Sequence, residues 1–144
     1  MSRAEVLASH QGSWRGLNKL WLEDPEGEPE TSPGTLTVTE DRVVITWAFR
    51  GAPQEGVCTV EEIEDAVTVT WTDSWHSEGG LELCGEAFAD AVDVFGAYPV
   101  ADGGPDWGWR IVLDLGDPEQ LLLRMYNISP EGDEVLAVAL DGVR

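Results

Sequence analysis

The chain has 144 residues, 42% of them hydrophobic, 8% aromatic and 25% charged, enough for one domain with a sizeable core. Only 8 basic residues face 28 acidic ones, a formal net charge of -20. A surface of that sign offers no cationic footprint to release counterions from phosphates, which argues against nucleic acid and anionic membrane as partners.

From the N-terminus, residues 2–12 carry Ala4, Val6, Leu7 and Ala8 at helical spacing, and a short amphipathic helix docked on the body of the fold is expected. The opening residues reach polar side chains and Trp14 before any apolar leader core, and no run approaches 18 apolar residues. A soluble, cytoplasmic protein is the reading. WRGLNKLWLED, residues 14–24, alternates with Trp14, Gly16, Asn18, Leu20 and Leu22 on one face, and strand is favoured over helix. The acidic, Pro- and Gly-rich residues 23–34 read as an exposed loop.

TLTVT (35–39) and RVVITWAFRG (42–51) predict a hairpin whose second strand sets Val43, Ile45, Trp47 and Phe49 on one face. GVCTVEE (56–62) and DAVTVTWTDSW (65–75) predict the next, with Val67, Val69, Trp71 and Asp73 inward and threonines outward. Residues 80–90, breaking near Gly85, and 91–98 predict two more strands. In WGWRIVLDLG (107–116), Trp107, Trp109, Ile111, Leu113 and Leu115 share a face, and QLLLRMYNIS (120–129) and VLAVALDGVR (135–144) complete the series. Cys58 and Cys84 lie in strand segments without metal-knuckle or CxxC spacing, so buried free thiols are expected.

Nine or ten sequential antiparallel strands leave hydrogen-bonding edges exposed unless the sheet closes, and short turns suffice for an up-and-down barrel. The expectation is therefore an all-β fold, a single up-and-down antiparallel barrel of about ten strands spanning residues 1–144. Seven tryptophans, several on one strand face, either fill such an interior or line a pocket in it.

GSWRG, residues 12–16, matches the G-x-W-x-G signature that opens calycin-type barrels. RMYNISPEGDEVLAVALDGVR, residues 124–144, resembles the closing hairpin of the lipocalin-like DUF1579 family. TWAFRGAPQEG (46–56), WTDSWH (71–76) and PDWGWRI (105–111) are similar to central segments of its actinobacterial branch. The resemblance implies a lipocalin-like barrel and brings no established activity with it. Nitrobindin-like haem proteins of the same superfamily ligate iron through a histidine near the C-terminus, and none lies beyond His76 here, so no cofactor is expected.

The binding candidates are the inward aromatic set Trp47, Phe49, Trp71, Trp107 and Trp109, with Asp73 and His76 as polar contacts, joined by Arg124 and Tyr126 if their face of the 120–129 strand turns inward, which parity leaves open. They point to a small hydrophobic or aromatic ligand inside the barrel. Two other readings remain open: an isomerase or cyclase using Asp73 and His76 as an acid–base pair, and a filled barrel working through its surface, as a homodimer. No metal-binding, phosphate-cradle or nucleophile-elbow motif is present, and no metal is expected.

Overall fold

A computed structural model describes residues 5–21, 26–74, 80–88, 90–100 and 103–144. A 3-10 helix, Glu5–His10, precedes β1 (Gly12–Leu20), β2 (Glu30–Val38), β3 (Arg42–Phe49), β4 (Ala52–Ile63) and β5 (Ala66–Asp73). There follow β6 (Leu81–Ala87), β7 (Ala91–Tyr98), β8 (Trp107–Asp114), β9 (Gln120–Ile128) and β10 (Glu134–Val143). Each strand pairs antiparallel with its sequence neighbours, and β1 closes on β10, so the sheet is an up-and-down barrel without edges.

Alternation sets the two faces. Val43, Ile45 and Trp47 of β3, Val67, Val69 and Trp71 of β5, and Leu121, Leu123 and Met125 of β9 are all buried, while the residues between them reach the outer surface or its margin. β10 needs one correction to its parity. A bulge between Leu136 and Val138 shifts the register, which is why its alternation reads poorly. At Gly16 an added Cβ would fall 2.1 Å from the Asp141 carbonyl oxygen, so only glycine lets β1 pass β10 at that point.

The short N-terminal helix expected from the sequence is present as a 3-10 element, with Val6 and Leu7 buried against the body. Two expectations need amending. Residues 30–34, read as loop, are the first half of β2 and pair with β1 from Leu17↔Pro33 to Leu20↔Glu30. Proline is tolerated there because β2 meets β3 only from Thr35↔Thr46 onward, leaving its other side without a ladder. Cys58 is buried, but Cys84 is exposed on the outer face with Glu82 and Glu86.

One end of the barrel is closed by the 3-10 helix. Trp14 is 1% exposed, and its Nε1–H donates to the His10 carbonyl at 2.9 Å. The His10 ring stacks on it with centroids 5.3 Å apart. His10 Nε2 lies 2.9 Å from the Asp117 carbonyl and 3.0 Å from that of Gln120, so this nitrogen carries the proton and pins the helix to the β8–β9 turn. From the other side the Arg144 guanidinium sits 4.1 Å from the Trp14 ring centroid and donates to the carbonyls of Gln11 and Ser9.

Candidate functional site

The opposite end is hollow. Where β1, β3, β5, β7 and β9 finish and their partners begin, a cavity of about 570 Å³ opens among side chains from eight strands. Its wall is mostly apolar, with Trp47, Trp71, Trp109, Ile45, Leu123 and Met125 among the contributors.

Trp71 is held in place from two directions. Its indole lies across Gly56 of the neighbouring β4, where an added Cβ would come 2.1 Å from the ring, so the glycine makes room for it. Its Nε1–H donates to Asp73 Oδ2 at 2.8 Å. The inward carboxylate expected from strand parity is thus part of the cavity wall and orients an aromatic ring beside it. At the rim, Tyr98 Oη donates to Asn127 Oδ1 at 2.5 Å. Burial raises the Tyr98 pKa, and the bond to Asn127 works against that rise.

Asn18, Trp47 and Trp109 differ from these. Asn18 is 1% exposed, and neither its Nδ2 nor its Oδ1 is hydrogen-bonded; the indole nitrogens of Trp47 and Trp109 are buried without an acceptor. All three residues line the cavity.

Of the residues singled out from sequence, Trp47, Trp71, Asp73 and Trp109 come together on this wall. Phe49 lies beyond it at the β3–β4 turn, with the Arg50 guanidinium 4.8 Å from its ring centroid. Trp107 opens β8 beside Tyr98 without contributing to the lining. His76 lies outside the described residues. Arg124 and Tyr126 belong to the outer face: Arg124 pairs with Asp141 at 2.6 Å, and Tyr126 carries the Arg110 guanidinium 5.4 Å from its ring centroid. The leucines at 121, 122 and 123 hide the parity of β9, and its pairing with β10 resolves it.

On that outer face Arg110 also grips both Asp93 oxygens, at 2.8 and 2.7 Å, and Glu134 at 2.9 Å. The Asp93 bond is the main cause holding its guanidinium charged.

Among the lining residues that sequence reasoning missed are the polar Asn18, Tyr98 and Asn127. The signal for Asn18 was present, as a lone carboxamide on the inward face of β1 among Trp14, Gly16 and Leu20. Cys58 is no nucleophile, since complete burial pushes its thiol up to about 12. Among the described residues no cluster of three or more His, Cys, Asp or Glu is arranged to hold a metal, and no helix is long and apolar enough to cross a membrane.

No protein-family model matches the chain, and no curated protein matches it. Among solved structures it is similar to a redesigned beta barrel at 15% identity and a TM-score of 0.45, over 100% of this chain and 98% of that one. The architecture itself, a closed ten-strand antiparallel barrel, is consistent with the broad calycin class.

Proposed function

We propose that the protein binds a small apolar or aromatic molecule in the hollow half of its barrel, as a lipocalin-like binder of the DUF1579 kind working in the cytoplasm. The observation that carries this reading is the cavity of about 570 Å³ walled by Trp47, Trp71 and Trp109. Protein interiors are close-packed and seldom keep voids larger than a water. A hollow of this size falls within the span of small-molecule pockets, roughly 300–1,000 Å³. The same chain fills its other end with Trp14, Leu7 and their neighbours, so the hollow is not forced by the barrel geometry.

The test is a combined thermal-shift and tryptophan-fluorescence titration against fatty acids, flavonoids, polycyclic aromatics, haem and indoles. A true ligand at 100 times its Kd adds about 2.7 kcal/mol of apparent stability, and it also changes emission saturably because four indoles line the site. A flat response in both readouts across every class would overturn the reading.

A further inference from the structure

The cavity wall holds an unbalanced set of hydrogen-bonding groups. Trp71 Nε1–H is served by Asp73 and Tyr98 Oη–H by Asn127. The indole N–H groups of Trp47 and Trp109 and the amide N–H of Asn18 have no acceptor, and Asn18 Oδ1 has no donor. A buried polar group without a partner has given up its hydration for nothing, and native interiors contain few. Three such residues on one cavity leave three unmet donor groups against a single unmet acceptor, each withdrawn from the open space so that a small turn of its side chain must bring it to a ligand.

Their placement adds a second constraint. Trp47 stands on β3 and Trp109 on β8, five strands apart in either direction around a ring of ten, so the two indoles rise from opposite walls. Asn18 stands between them on β1. Charge adds a third: Asp73 is acidic, and among the described lining residues none is basic. A carboxylate ligand would enter without a counter-charge and meet an acidic group in a desolvated site.

We propose, building on the binding reading above, that the ligand is an uncharged, planar, multi-ring aromatic carbonyl compound. Its oxygens accept hydrogen bonds from Trp47, Trp109 and Asn18, and its rings pack on the indoles. Hydrocarbons of the same shape leave the donors unmet, and anionic analogues are rejected.

Shape-matched probes test this by isothermal titration calorimetry on the full chain: fluorene against 9-fluorenone, anthracene against 9,10-anthraquinone, and anthraquinone-2-carboxylate as the anion. The carbonyl compound of each pair is expected to bind about tenfold tighter or more, as a buried donor that gains its acceptor allows. The carboxylate is expected to bind more weakly than anthraquinone. In Asn18→Leu, and separately in Trp109→Phe, the carbonyl preference falls by about threefold or more, while Arg124→Leu on the outer face keeps the wild-type ratio.

Equal affinity for hydrocarbon and ketone, a carboxylate that binds tightest, or a preference untouched by both cavity variants would overturn the assignment while leaving cavity binding intact. Failure of every probe, hydrocarbon included, would also overturn the assignment, and a flat response in the wider titration above would then overturn the binding reading on which it rests. Should a cavity variant fail to fold, the wild-type ratios still decide.

Discussion

At the closed end, His10 gives its Nε2–H to the Asp117 and Gln120 carbonyls and Trp14 gives its indole N–H to His10, while Arg144 caps the ring and ties down Ser9 and Gln11. At the hollow end, Asn18 and Trp47 are buried and Trp109 is half-buried, and the amide atoms of Asn18 and the indole nitrogens of both tryptophans have no hydrogen-bond partner. None of the unpaired buried polar atoms among the described residues lies at the closed end. The same strands run through both ends, so topology does not cause the difference. Stability is concentrated where polar groups are satisfied and packing is complete, and it is forgone where a site stands open.

The sharpest way to break this comparison is Trp14→Ala. Removing a fully buried tryptophan that also carries a hydrogen bond and a cation contact should cost about 3–5 kcal/mol in urea denaturation. That is a large share of the 5–15 kcal/mol typical of a domain. A loss below about 1 kcal/mol would mean that the closed end does not anchor the barrel. Asn18→Leu tests the other end and carries the opposite sign. Replacing an unpartnered carboxamide by an apolar group of similar shape removes a desolvation penalty, so the ligand-free protein should gain about 1–3 kcal/mol. A destabilised Asn18→Leu would show that the carboxamide is bonded in solution. One end should therefore lose stability on mutation and the other gain it.

How far the sequence reaches follows the same division. Strands with strict alternation were legible to within a residue or two: β5 with Val67, Val69 and Trp71, and β8 with Trp109, Ile111 and Leu113. The start of β2 was not, because Thr31 and Pro33 carry no apolar pattern and only the ladder to β1 makes that segment a strand. Within the site, Trp47, Trp71, Asp73 and Trp109 could be grouped because a strand keeps parity over its length. Arg124 and Tyr126 could not be placed, since a run of three leucines makes both faces of β9 look internal. Asn18 was visible on its face, but one strand gives no means of knowing whether a buried amide has a partner. That is a property of the closed barrel.

Cys58 lies in the well-packed interior, and pH probes it. Its thiol is held at about 12 by burial, against 9.0 for the unperturbed group. The folded state keeps the proton that the unfolded chain releases, so the stability from this site is complete below pH 9 and declines as pH rises toward about 12. The expected slope is about 1.4 kcal/mol per pH unit once the unfolded thiol ionises. Denaturation of wild type and Cys58→Ala between about pH 8 and pH 10 isolates the effect, because Tyr98 adds its own decline only above its ordinary value of 10.0. Parallel profiles for the two proteins would place Cys58 in contact with water.

The smallest effect belongs to the outer face, where neither packing nor cavity demands are at stake. Arg124 reaches Asp141 at 2.6 Å and the Leu123 carbonyl at 2.8 Å, yet its side chain is 29% exposed and that of Asp141 64%. A pair so open to solvent has its attraction offset by hydration and side-chain entropy, so Arg124→Ala should cost no more than about 1 kcal/mol, and less at high salt. Arg110 is the control within the same face, for it grips Asp93 with two nitrogens, reaches Glu134 and covers Tyr126. Several bonds converging in a planar fork cost less entropy per contact than one ion pair does. Arg110→Ala should therefore destabilise more than Arg124→Ala at every salt concentration. Equal losses, both abolished by salt, would mean that the acidic surface acts on its arginines as a diffuse field, with the pairwise geometry contributing nothing of its own.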